Sequence, residues 1–471
     1  MDRERGGLDG PNPSGQNLST SPSPLPLEPS PSLRDWITSS EASGQRYASH
    51  FLEKETAARE RRSAAAAGPR AKSKVDSARA LMSKATGSDK VSEASEEPDP
   101  YMIPKACEAV LEKHSKTLAA LAVDKAGSRI ITGANDGQVH LHDFGGMKKD
   151  MRSFRKFSPT DSNHQVKTLS WSPTGDCFLV VTTSAQAKVY DRDGRSKGEF
   201  ARGDMYLHDV RQTKGHTAGL TSGHWHPVDR SACVTSSDDG TVRIWDVTNL
   251  EQKTVIKPNL GKPGRFSVSC CSYNASGSIL AAGTMDGTIQ LWAASGKLGQ
   301  ASKVGTLPAW KVKVQEKQRW MYTSRPGQLV RKAHDPESEI TSLCFAENGS
   351  ALYSRAGDHT LKVWDLRKLK TPVKVFANLP CNSASTGCIL SPDQQLLVTG
   401  VSADETGREG GLFFYDTVTL DFARKLTFPK SVTCLQWHER LNQIFLGSGC
   451  EAKILFDPEL STKGALMCLK G

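Results

Sequence analysis

At 471 residues, with 37% hydrophobic and 24% charged residues, the chain has room for several small domains or one large repeat body. A mean hydropathy of −0.46 means that part of it is more polar than a core tolerates, and no run of about 18 apolar residues is present to form a membrane-spanning helix. The formal net charge of +10 favours an acidic partner or a nucleic-acid environment without specifying a contact.

The chain begins MDRERGGLDGPNPSGQ, without the apolar segment of a secretory signal, so an intracellular location is expected. Residues 1–100 are rich in Pro, Ser, Gly, Ala and charge. They lack the apolar clusters needed to offset chain entropy, and a disordered basic arm is expected there. Within it, FLEKETAARERRSAAAA favours a transient helix over about 47–67, ended by Gly68-Pro69. Arg61-Arg62 followed by Arg70, Lys72 and Lys74 has the form of a two-part nuclear import signal, and equally of a solvated charged helix.

From Tyr101 the composition changes to strand-like runs separated by turn residues. Seven copies of one strand ending recur: QVHLHDF at 138–144, AKVYD at 187–191, VRIWD at 242–246, TIQLWA at 288–293, LKVWD at 361–365, LFFYD at 412–416 and KILFD at 453–457. An Asp stands six positions before the aromatic in Asp239/Trp245, Asp286/Trp292 and Asp358/Trp364, and Asp136 precedes His142 by the same step. Ser184, Glu409 and Cys450 occupy that place in the other copies, whose units must depend more on packing.

The fullest copy runs from Lys214 to Asp246 and has the form of a WD repeat. His216, Thr235 or Ser236, Asp239 and Trp245 can hydrogen-bond in series there, which is a structural tetrad and not a catalyst. Seven such units predict an all-β, seven-bladed WD40 β-propeller over 101–471. A strand must close the ring. Cys107–Leu111 and Ala465–Leu469 are both candidates, and the N-terminal one is preferred because exchange between chain ends covers a sheet edge.

One connection, at about 293–333, is too long for a blade linker. It is basic and carries Trp310, Lys311, Lys313, Arg319 and Trp320, a combination able to neutralise phosphates and stack bases, or simply an unstructured loop. No phosphate-binding loop, nucleophile elbow, H-E-x-x-H or kinase motif is present, so no enzyme activity, cofactor or small-molecule substrate is expected. His140-x-His142 and His224-Trp225-His226 have metal-pair spacing but no accompanying third ligand, and no metal is expected. The eleven cysteines include Cys233, Cys270, Cys344, Cys388 and Cys434 in apolar runs, read as buried thiols.

The copy LYSRAGDHTLKVWDLR at 352–367 ends in W-D-x-R. This resembles the box by which propeller substrate receptors dock onto the adaptor of cullin-4-type ubiquitin ligases, with Asp358, Trp364, Asp365 and Arg367 as candidate docking residues. Arg367 offers a bidentate guanidinium to a partner carboxylate.

Particular motifs then point further. YMIP at 101–104, DFGGM at 143–147, the run Ser184–Gly194, TKGHTA at 213–218, WHP at 225–227, LKVWDLR at 361–367 and HERLNQIFLGSG at 438–449 together resemble the WD repeat-containing protein 70, or gastrulation-defective, family. The resemblance implies a nuclear, non-enzymatic propeller. It implies action with a cullin-4-type ligase in histone H2B ubiquitination and DNA double-strand-break processing, and a link with spliceosomal assemblies. The first hundred residues and the long insertion depart from the family pattern, and the family is expected to continue into a basic tail where this sequence stops at Gly471. An RNA-processing scaffold that touches ribonucleoprotein through the arm and the insertion stands as the alternative.

Overall fold

The computed structural model describes residues 101–469 apart from 163, 208, 259–266, 295–319, 404–406 and 408. The expected arm, its helix and its import signal lie outside the described residues. After β1 (Cys107–Val110), the first blade comprises β2 (Leu118–Val123), β3 (Arg129–Ala134), β4 (Val139–Asp143) and β5 (Arg155–Phe157). The second holds β6 (Val166–Trp171), β7 (Cys177–Thr182), β8 (Lys188–Asp191) and β9 (Ser196–Glu199). The third holds β10 (Leu220–Trp225), β11 (Ala232–Ser237), β12 (Val242–Asp246) and β13 (Glu251–Ile256). Blade 4 begins with β14 (Val268–Tyr273), β15 (Ile279–Thr284) and β16 (Ile289–Ala293), and β17 (Met321–Thr323) and β18 (Gln328–Val330) follow in the chain. Blade 5 has β19 (Ile340–Phe345), β20 (Ala351–Ala356), β21 (Leu361–Asp365) and β22 (Lys374–Phe376), and blade 6 has β23 (Cys388–Leu390), β24 (Leu396–Val401), β25 (Gly410–Asp416) and β26 (Phe422–Phe428). Blade 7 consists of β27 (Val432–His438), β28 (Gln443–Ser448) and β29 (Glu451–Phe456), and α1 (Ala465–Leu469) ends the described chain.

These strands form seven antiparallel meanders, and the innermost strands of successive blades neighbour one another in a closed cycle, β27 lying beside β2. The chain is a seven-bladed WD40 propeller, as the repeats require. Seven apolar cores fill the seven gaps between blades, because a twisted sheet buries both faces only by stacking on two neighbours. The gap between the last blade and the first is filled by Leu118 and Ile130 on one side and Phe445, Ile454 and Phe456 on the other.

The seam is closed by the N-terminal segment. β1 lies antiparallel on β29, with Cys107 opposite Phe456 and Val110 opposite Lys453, and supplies the fourth strand of blade 7. Ala465–Leu469 is helical and packs Ala465, Leu466 and Cys468 into the same core.

The turn between second and third strands places a residue at positive φ immediately after its Asp. Gly137, Gly240 and Gly287 serve in blades 1, 3 and 4 at φ 77°, 73° and 70°. Blade 5 has His359 there at φ 62°, a conformation that side chains rarely adopt. The strain is held by its neighbours, since the His359 carbonyl accepts from the Leu379 amide at 3.0 Å and its ring accepts from the Cys381 amide at 3.1 Å.

The connection from Trp292 to His334 is not a loop throughout, which corrects the expectation. Its end returns to the sheets: β17 joins blade 3 as a fifth, parallel strand beside β13, and β18 becomes the outer strand of blade 4 against β16. The β-prone residues Met321-Tyr322-Thr323 and Gln328-Leu329-Val330 pair the otherwise open edges of two adjacent blades.

Candidate interaction surfaces

Each blade must first fix the lead-in loop that passes from its neighbour. In blade 3 the Trp245 indole N–H donates to Thr235 Oγ1 at 2.7 Å, that hydroxyl meets His216 Nε2 at 2.8 Å, and His216 Nδ1 meets Asp239 Oδ2 at 2.9 Å. The second-strand member is thus Thr235, while Ser236 pairs with Thr221. Burial pushes the His216 pKa down against the pull of Asp239. Asp239 lies well below the usual carboxylate range, because the hydrogen bonds from His216 and the Thr241 hydroxyl and the nearby Arg243 charge overcome the cost of burial. The ring is therefore neutral beside an ionised carboxylate, and one set of proton positions satisfies the whole series.

Blade 5 repeats the relay: its Asp358/Trp364 pair, marked by the six-residue spacing, is joined by His334 and Ser354, which that spacing did not mark. Trp364 donates to Ser354 Oγ at 2.8 Å, Ser354 meets His334 Nε2 at 2.7 Å, and His334 Nδ1 meets Asp358 Oδ2 at 2.8 Å. His334 precedes Asp358 by 24 residues, against 23 from His216 to Asp239, and that near-equality was the signal available in the sequence. The finding corrects the docking assignment: Trp364 is 2% exposed and the Asp358 side chain 3%, so both support blade 5 from inside and neither can touch a partner. Asp365 and Arg367 lie at the turn after β21. The Arg367 side chain is exposed, and its backbone N–H donates to Asp365 Oδ1 at 2.8 Å while Lys368 N–H donates to the Asp365 carbonyl at 3.0 Å.

The residue two positions before the aromatic grips the same lead-in loop. Arg243 is fully buried, and donates to the Thr213 carbonyl at 3.0 Å, the Thr213 hydroxyl at 2.7 Å and Gln252. Burial lowers its pKa to about 10, so it remains charged at neutral pH. Lys362 donates to the Ala333 carbonyl at 2.8 Å in the same way. In blade 1 the place is taken by His140, stacked on His114 at 3.8 Å between centroids.

Two further histidines tie blades together at the turns after their first strands. His226 meets the Gly277 carbonyl of blade 4 at 3.0 Å, and His438 meets the Asp124 carbonyl of blade 1 at 2.9 Å across the seam. His226 is thus committed to a turn, and among the described residues no group of three His, Cys, Asp or Glu side chains could hold a metal. All eleven cysteines are free thiols; Cys233, Cys270, Cys388 and Cys434 are buried, whereas Cys344 is half-buried.

Of the aromatic and basic residues singled out in the insertion, Trp310, Lys311, Lys313 and Arg319 lie outside the described residues. Trp320 is half-buried, and its indole N–H donates to the Arg211 carbonyl at 3.0 Å, while the Arg211 guanidinium lies 4.5 Å over the Tyr322 ring. This clamp holds the 200–213 connection between blades 2 and 3, which exposes Met205, Tyr206 and Leu207 in succession. Beside it, a cavity of about 330 Å³ is lined by Asp246, Asn249, Glu251, Lys253, Trp320 and Met321. Exposed apolar side chains on a braced loop are the usual form of a protein contact site.

The family described as "WD domain, G-beta repeat" matches residues 105–143, 208–246, 260–293 and 327–365. WD repeat-containing protein 70 of Xenopus tropicalis is 38% identical over 371 residues, 78% of this chain and 55% of that protein. The human protein of the same name is 36% identical over 373 residues, 78% of this chain and 53% of its own length. The Gastrulation defective protein 1 homolog of Drosophila melanogaster is 37% identical over 370 residues, 78% of this chain and 52% of its own length. The chain spans about half the length of these relatives. Its fold is thus a WD-repeat propeller, and its likeness is to the WD repeat-containing protein 70 and gastrulation-defective family.

Proposed function

We propose that this propeller is a nuclear, non-enzymatic scaffold that serves a cullin-4-type ubiquitin ligase as substrate receptor or adaptor, in histone H2B ubiquitination on chromatin and in DNA double-strand-break processing. A ring of rigid sheets presents loops on two faces and leaves chemistry to the machinery it recruits. The observation that carries the ligase reading is the turn after β21. Asp365 holds the Arg367 and Lys368 amides, so the exposed Arg367 side chain leaves the blade from a fixed backbone, and a guanidinium there can make a bidentate contact with a partner carboxylate. Asp365 itself is occupied by that turn, so the docking contact rests on Arg367. Recovery of the ligase adaptor by wild type and by Arg367→Ala tests this; the variant should recover much less adaptor, and equal recovery removes Arg367 from the interface.

The alternative, a scaffold on ribonucleoprotein, rests on the basic composition of the insertion. Trp320 is tethered to the 200–213 connection through its indole N–H, a contact at the ring edge. Deletion of 297–318 keeps β17 and β18, so loss of salt-dependent single-stranded RNA binding in that variant would favour this reading, and unchanged or absent binding would reject it.

A further inference from the structure

The relay of blade 1 departs from the complete relays of blades 3 and 5. His114 Nε2 meets Thr132 Oγ1 at 2.9 Å, and its Nδ1 lies 3.4 Å from Asp136 Oδ2. Where blades 3 and 5 place a tryptophan, this blade has His142, fully buried, and among the described residues neither of its ring nitrogens has a hydrogen-bond partner. His140 stacks on His114 with rings 13° apart, its centroid 6.3 Å from that of His142, and its Nδ1 is also unpartnered. His114 lies on the segment that closes the ring, and His140 and His142 lie on β4 of blade 1, with the His140 ring stacked on His114. The Leu111 amide donates to the Ala452 carbonyl at 2.9 Å, His114 to Cys450 at 3.0 Å and Leu118 to Gly449 at 2.7 Å, all across the seam.

We propose that this imidazole cluster makes the seam the acid-labile joint of the propeller: protonation of His140 or His142 releases residues 111–118 from blade 7 before the other blades open. The charged groups facing the cluster are Glu112, Asp136 and Lys156. Lys156 is paired with Glu112, and Asp136 is held by the Ser115 amide and hydroxyl and the Gln138 amide. Among the described residues an added proton at His142 therefore meets no carboxylate within hydrogen-bond reach. Blades 3 and 5 differ, because a proton on His216 or His334 faces Asp239 or Asp358 within 2.9 Å.

Burial, reinforced by the neighbouring imidazoles, lowers His140 to about 4 and His142 to about 3; at His114 burial is opposed by the Asp136 charge and hydrogen bond, so His140 and His142 are the two rings that set the response. Because the released rings regain an ordinary pKa of about 6.5, the opened state binds more protons below that pH. The closed seam is then at full strength above about pH 6.5 and weakens as pH falls toward 4, by tenfold in the opening constant per pH unit for each ring protonated.

Hydrogen exchange of the full chain between pH 7 and 4.5, corrected for the intrinsic pH dependence of exchange, tests this. Peptides covering 105–118 should lose protection up to a hundredfold per pH unit, while peptides covering 213–220 lose less. His142→Trp restores an indole able to reach Thr132, and His140→Gln copies the residue at Gln290 of blade 4; each should reduce the dependence to at most tenfold per pH unit. Should His142→Trp fail to fold, His140→Gln alone decides. Equal loss of protection in both peptides, or an unchanged dependence in the folded variants, would overturn the proposal.

Discussion

Ser354→Ala removes one oxygen on which the blade 5 relay turns. Ser354 is fully buried, Trp364 and His334 are each 2% exposed, and both ring nitrogens bond to that hydroxyl within 2.8 Å. Without it the indole N–H and the imidazole Nε2 are left in a space too small for solvent, at a cost of about 1–3 kcal/mol each. Blade 4 shows that one such defect is survivable, since the buried Trp292 Nε1 has no partner among the described residues. Taking about 3 kcal/mol in all, and an unfolding entropy of roughly 0.8 kcal/mol/K for a propeller of roughly 370 residues, the melting temperature should fall by about 4 °C. Differential scanning calorimetry measures this beside Ser350→Ala, an exposed-turn control in which only the Asn348 contact is lost. Trp364→Phe keeps an aromatic ring, loses part of its volume and removes the donor; the volume term is common to both backgrounds, so the double variant should lose about 1 kcal/mol less than the sum of the singles. A Ser354→Ala shift no larger than that of Ser350→Ala, or strict additivity with Trp364→Phe, would refute the relay as a coupled unit.

Removing residues 101–113 takes away β1 and leaves the β29 edge and the Leu118 to Phe456 core open; the melt should drop by more than about 5 °C, and an unchanged melt would show that the seam does not need this strand. Two deletions in the insertion should separate cleanly: lack of 297–318 leaves circular dichroism and melting nearly unchanged, while lack of 297–332 strips β17 and β18 and yields aggregated or partly unfolded protein. Trp320→Ala frees the Arg211 carbonyl, so limited proteolysis within 201–212 should quicken several-fold while the melt shifts by less than about 2 °C. Finally, Asp239→Asn removes a carboxylate whose pKa is depressed in the fold. Wild-type stability from this group is present above its unfolded pKa of about 4 and is lost as pH falls below it, so the difference between wild type and variant should be constant near neutrality and shrink below about pH 4.

The number of blades, the third strands and the tetrad of blade 3 were legible because they rest on local pattern. Alternation places VRIWD and LKVWD on a sheet, and an Asp-to-aromatic step of six residues spans one fixed turn. The His334–Ser354 half of the second relay was harder to see, because its histidine follows the long insertion and its hydroxyl comes from Ser and not Thr. The spacing marks Asp358 and Trp364 as a relay pair and the W-D-x-R ending marks them as docking residues; the structure supports the first role, since Ser354 and His334 hold both inside the blade.

What the sequence determined by itself is the repeating unit, since hydrophobic alternation, turn chemistry and the relay spacing are set by residues within about thirty positions of one another. Tertiary structure alone decided how the ring is tied. The pairing of β1 with β29 joins the two ends of the propeller, and the return of β17 and β18 to two neighbouring edges joins residues farther apart in the chain than one repeat. The reason is physical: an open strand edge or a buried ring nitrogen requires a partner, but which partner reaches it depends on the geometry of seven stacked sheets and not on distance along the chain.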